Sequence, residues 1–108
     1  MNTKSILPRK PCLITPESIL RAVCDIWSIT PQNLLGSTRK QPDAFGRQVC
    51  MVLVMEYAGL SKTETAMLFR RDYTTVLWAE KTVIQKAKEN KDVMRLIKNV
   101  VDQIQTII

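Results

Sequence analysis

Ile19, Leu20, Val23, Cys24 and Trp27 recur at three- and four-residue spacing and so line one face of a helix. Thr15 can cap that helix, Pro16 suits its first position, and the pattern carries it to about Trp27. Thr30-Pro31 repeats the start signal for a short helix through Leu35. Gly36 to Gln41 reads as a polar loop containing Arg39 and Lys40. Pro42 then leads a long helix to about Ala58, whose middle, Val49 to Met55, is apolar nearly all round. A helix of that kind is buried on several sides, which makes it the central post of the core. Gly59 breaks the pattern, and Ser61 with Glu64 spells a capping box for a short helix closing on Ala66-Met67-Leu68-Phe69. Asp72 can cap a further helix that opens with Tyr73, Thr74 and Thr75 and reaches about Asn90. Asp92 can cap a last one to the C-terminus. The expectation is an all-α chain of about six helices with an embedded helix-turn-helix. Residues 1–13, with Pro8 and Pro11, read as a flexible arm, and 14–108 as one helical domain.

The fourth and fifth helices carry the chemistry. A short helix, a turn with two arginines and a second helix with hydroxyls at its exposed start is how a helix-turn-helix meets a DNA major groove. Threonine hydroxyls donate to or accept from base edges and phosphates, and the Thr methyl packs on thymine. The positive end of the second helix suits a phosphate. Asp72 either caps that helix, accepts from a cytosine amino group, or does both. Arg70 and Arg71 either clamp phosphates or are solvated turn charges. Val76, Ala79 and Val83 turn inward, which points Trp78 outward, toward DNA or a protein partner unless it covers a core edge. Tyr73 can donate to phosphate or stack on the neighbouring helix.

Charge agrees with a polyanionic partner: 16 Lys and Arg against 10 Asp and Glu give a net +6. The longest purely apolar run, Val49 to Met55, falls far short of the roughly 20 residues of a membrane span. Met1 to Pro11 carries Lys4, Arg9 and Lys10 without an apolar stretch behind them, unlike a signal peptide. Cys12, Cys24 and Cys50 are far apart and histidine is absent, which argues against a metal site and removes the usual general base. Reduced thiols in a cytoplasmic protein are expected, and no enzyme is. Gly59-Leu60-Ser61-Lys62-Thr63 ends like a phosphate-binding loop, but Ser61 and Glu56 stand where that loop needs glycines, so no nucleotide site or other cofactor is read.

Leu60-Ser61, Glu64, Phe69 and the run Arg71-Asp72-Tyr73-Thr74-Thr75-Val76-Leu77 resemble the C-terminal DNA-binding domain of the bacterial replication initiator DnaA. Ile29 to Leu35 is similar to that family's short helix, and Ser37 to Gln48 to its basic loop and the start of its long helix. The resemblance covers about residues 15–105. It implies a Trp-repressor-related fold of six helices and recognition of a nine-base-pair box in duplex DNA. It assigns Asp72, Tyr73 and Thr74 to base edges in the major groove, with Trp78 facing that groove one turn on. Thr75 and Lys81 would hold phosphates or flank the helix. Arg39 would reach into the adjacent minor groove. Arg47 and Gln48 would contact the DNA backbone, and Lys62 and Thr63 match the first turn of the other motif helix. The chain departs from the family at Tyr73 and Trp78, where it has histidines, and at Gln41 and Phe45, where it usually has arginines. Arg70-Arg71 also replaces a Gly-Gly-Arg turn, one residue longer.

One rival reading comes from the last helix. Met94, Ile97, Val101, Ile104 and Ile108 alternate three- and four-residue steps, widened by Val93, Leu96, Val100 and Ile107. Such a stripe either docks on its own domain or makes the Asp92–Ile108 helix a homodimer or protein-partner surface.

Overall fold

The computed structural model describes residues 14–36 and 40–106, and among them the ordered elements are six α-helices. They are α1 (Pro16–Trp27), α2 (Pro31–Leu35), α3 (Asp43–Tyr57), α4 (Lys62–Phe69), α5 (Tyr73–Glu89) and α6 (Lys91–Thr106). The expected all-α architecture is what forms. Cys12, Arg39, Ile107 and Ile108, named above, lie outside the described residues, as does the expected arm.

Local chemistry fixes most helix starts. Thr15 and Ser18 cap α1 reciprocally, Ser18 N–H donating to Thr15 Oγ1 at 3.2 Å and Thr15 N–H to Ser18 Oγ at 3.1 Å. Thr30 Oγ1 accepts from Asn33 N–H at 3.1 Å at the start of α2. The box expected at α4 is made as well, by Glu64 N–H on Ser61 Oγ at 3.0 Å and Ser61 N–H on Glu64 Oε1 at 2.8 Å. Proline has no side-chain acceptor, so Pro42 cannot cap α3; Gln41 Oε1 accepts from Phe45 N–H at 3.1 Å instead. Gly59 takes φ +76° just past α3, a conformation costly to a residue with a Cβ, and there Leu60 N–H reaches back to the Val54 carbonyl at 3.4 Å.

Asp92 does not cap α6. Asn90 does, its Oδ1 accepting from the Asp92 and Val93 amides at 2.9 and 3.3 Å. A cap must lie ahead of the amides it satisfies, and Asp92 is already inside the first turn.

Packing follows the apolar pattern. Val49, Cys50 and Val54 of α3 are wholly buried, and α1, α2, α4 and α5 all pack on that helix. A methyl group on Gly46 would stand 2.4 Å from Ile29 Cδ1, so α3 passes close to the α1–α2 connection and a Cβ there would have to push the tip of the Ile29 side chain aside. α6 lies across α1 and α5, burying Val100 and Ile104 and packing Val93, Ile97 and Val101 against the core. Its stripe is therefore used inside the domain, though Met94 stays exposed. Burial pushes the thiols of Cys24 and Cys50 up, Cys50 well above the usual range, so both stay protonated as core filler. Among the described residues, no helix is long and apolar enough to cross a membrane.

Candidate nucleic-acid interface

The helix-turn-helix is α4, residues 70–72 and α5. Arg70 ends α4 in the left-handed region at φ 55°, its N–H bonded to Met67 O at 3.2 Å while Arg71 N–H bonds Ala66 O at 2.9 Å. For a residue with a Cβ this conformation costs about 1 kcal/mol. The turn nevertheless leaves the Arg70 side chain exposed.

Arg71 points elsewhere. It is half-buried, its Nη1 donating to Phe69 O at 3.2 Å and its Nη2 to Gly36 O at the end of α2. Asp72 stands at the N-cap position of α5 with extended backbone (φ −71°, ψ 154°), yet its side chain makes no capping hydrogen bond. The expected cap is thus positional only; Asp72 is exposed, and the positive end of α5 is not covered by its own carboxylate.

Along α5 the two faces separate sharply. Val76 and Ala79 are completely buried and Val83 nearly so, anchoring the helix to the core. On the opposite face Thr74 is exposed, Tyr73 is 49% exposed and Trp78 66% exposed. Trp78 therefore does not cover a core edge. Lys81 lies with its Nζ 5.7 Å from the Trp78 ring centroid, a cation–π pair in water. Thr74, Leu77, Trp78 and Lys81, at successive helical steps, line an open notch of about 150 Å³. Thr75 is half-buried beside them.

From α4, Thr63 is exposed, and Lys62 Nζ sits 3.9 Å from Glu80 Oε1 on α5, an exposed pair that contributes little to stability. The fold thus brings Lys62, Thr63, Arg70, Asp72, Tyr73, Thr74, Thr75, Trp78 and Lys81 to one helix-turn-helix unit.

Arg47 departs from the expectation. It is 6% exposed, with Nε donating to Leu34 O at 2.7 Å and Nη2 to Asn33 O at 2.9 Å. Burial and the nearby Arg71 charge lower its pKa, and Asp43 partly offsets them. This guanidinium braces α2 and does not lie open for a DNA backbone. A sequence signal existed: Arg47 shares a helical face with Cys50, Met51 and Val54, all buried. Gln48 is half-buried next to it. Phe45, also in the expected basic region, is core: it is buried and meets the Trp27 ring edge-on, centroids 6.3 Å apart. Lys86 Nζ lies 5.0 Å from the Phe45 centroid, a contact that spacing along the chain did not reveal.

A sequence model of the family described as bacterial dnaA protein helix-turn-helix matches residues 16–83. Among individual relatives, the chromosomal replication initiator protein DnaA of Thermus thermophilus is 38% identical over 84 residues, which is 77% of this chain and 19% of that protein. The initiator of a Synechococcus strain is 31% identical over 101 residues, 93% of this chain and 22% of the relative. DnaA 2 of Chlamydia caviae is 32% identical over 79 residues, 73% of this chain and 17% of its own length. The chain spans about one fifth of the length of the relatives it matches.

Proposed function

Because the chain belongs to the helix-turn-helix family of bacterial DnaA proteins, we propose that it binds duplex DNA sequence-specifically, in replication or in transcription control. α5 enters the major groove. Tyr73, Thr74 and Trp78 meet base edges there, and Asp72 accepts from a cytosine amino group. Thr75, Lys81, Arg70 and the first turn of α4, with Lys62 and Thr63, meet phosphates, and the uncapped positive end of α5 adds to that field. Gln48 flanks the DNA backbone, and Arg39 enters the adjacent minor groove. Arg47 acts from beneath, as a brace. No step of catalysis belongs to this reading.

The observation that carries it is Trp78. An aromatic ring 66% exposed, on a helix whose other face is wholly buried at Val76 and Ala79, holds apolar area in water that a partner would cover. The net charge of +6 and the position on the second helix of the motif favour DNA as that partner. The protein-docking alternative draws no support from α6, whose Val100 and Ile104 are spent inside the domain.

Fluorescence anisotropy with a duplex carrying the family's nine-base-pair box and a scrambled duplex, at two salt concentrations, tests the reading. Preference for the box by more than about tenfold, or about 1.4 kcal/mol, is the expected result. Equal, strongly salt-dependent binding would leave a DNA binder with another target. Absence of binding to either duplex would sink the proposal.

A further inference from the structure

Arg47 and Arg71 come from different elements and converge on one short stretch of backbone. Arg47, from α3, takes the carbonyls of Asn33 and Leu34 at 2.9 and 2.7 Å. Arg71, from the α4–α5 turn, takes the carbonyl of Gly36 and, at 3.2 Å, that of Phe69. The last four carbonyls of a helix lack intrahelical partners, and α2 has only five residues, so these two side chains satisfy the Asn33, Leu34 and Gly36 carbonyls at its C-terminal end. They also place two cations at the negative end of its dipole. Like charges do not gather without cause. Burial first, and then the Arg71 charge, lower the pKa of Arg47, and the carbonyls hold its guanidinium there. Leu34 is the one fully buried side chain of α2, so apolar packing alone fixes the end of this helix weakly.

On the premise of the DNA reading above, we propose that Arg71 is a positioning residue for sequence recognition. With Arg47 it clasps the end of α2 to the turn that precedes Tyr73, and so sets the register between Gly36 and the entrance of the recognition helix. It does not neutralise a phosphate. The two arginines of the turn divide the work: Arg70, exposed, meets the DNA backbone, while Arg71, half-buried, faces inward. A duplex read at two places needs those places in register, whereas a duplex held only by its charge does not. Losing the clasp therefore costs discrimination before it costs general affinity.

The test compares the full chain with Arg71→Ala, Arg71→Lys and Arg70→Ala on box and scrambled duplexes over a salt series, together with amide exchange of the DNA-free proteins. The clasp predicts that Arg71→Ala binds the scrambled duplex within about twofold of the parent. Its box-over-scrambled preference should fall by about fivefold or more, with the salt slope nearly unchanged. Arg71→Lys keeps the charge but not the fork, and should lose preference as well. Arg70→Ala should weaken both duplexes alike and make the slope shallower by about one. Without DNA, the Gly36 amide, bonded to Asn33 O at 3.3 Å, should exchange faster in Arg71→Ala than in Arg70→Ala. Equal weakening of both duplexes by Arg71→Ala with a slope loss of about one, rescued by Arg71→Lys, would overturn the proposal, as would unchanged exchange at Gly36. A parent that binds neither duplex would instead defeat the DNA reading, and the exchange comparison alone would then decide whether the clasp exists.

Discussion

Replacing Arg47 by Met removes a buried guanidinium while keeping most of its aliphatic stem. The Leu34 carbonyl, bonded at 2.7 Å in a buried setting, then has no side-chain donor, and the Asn33 carbonyl loses its own at 2.9 Å. A buried acceptor left unsatisfied costs about 1–3 kcal/mol. Leu34 O incurs most of that. Asn33 O is partly accessible and recovers some hydrogen bonding from water. Against these losses stands relief: the guanidinium no longer has to stay charged in a site that lowers its pKa. The expected net destabilisation is about 2 kcal/mol, or roughly 8–16 °C in Tm for a domain of this size. Urea denaturation followed by circular dichroism would measure it. If Arg47 instead reached out to DNA, Arg47→Met would leave stability within about 0.5 kcal/mol and reduce the salt slope of DNA binding by about one. That result would refute the brace.

Gly59→Ala should cost about 1–2 kcal/mol, read in the same denaturation assay, because φ +76° is strained for any residue with a Cβ although open space surrounds the site. Asn90→Ala should destabilise α6 by about 1 kcal/mol, whereas Asp92→Ala, which removes an exposed ion pair with Arg95 at 3.5 Å, should change stability by less than about 0.5 kcal/mol. Arg70→Gly should raise stability by about 1 kcal/mol by relieving the left-handed turn, while flattening the salt dependence of DNA binding. Trp78→Ala should keep the parent's urea midpoint, as expected for a ring this exposed, and lose most of the preference for a chosen site in anisotropy titrations.

Where one residue's chemistry acts on its immediate neighbours, reading the chain succeeded. Thr15, Thr30 and Ser61 act on amides within the following turn, and the helices begin where those hydroxyls stand. The inward row Val76, Ala79 and Val83 followed from spacing alone, because a period of 3.6 residues is a property of the helix itself. Failures came where two residues compete for one job. Asn90 and Asp92 are both good caps, and only the chain path selects the earlier one. Asp72 has the right backbone for a cap and does not use its side chain. Arg47 and Arg71 show the same limit at longer range. Each bonds a carbonyl at least 13 residues away in sequence, and a cationic side chain carries no local mark that says whether it ends in solvent or on a distant backbone oxygen.

The chain has two tryptophans, and the fold sorts them. Trp27 is packed edge-on to Phe45 beside the core, while Trp78 stands mostly in water next to the Lys81 ammonium. Their emission should therefore separate. A dissolved quencher such as acrylamide reaches Trp78 first and leaves the bluer light of Trp27, which reports the integrity of α1 on α3. Shielding of the redder component on adding a duplex reports what covers α5. One unlabelled sample can thus record, at two wavelengths, whether the protein is folded and whether its reading face is occupied.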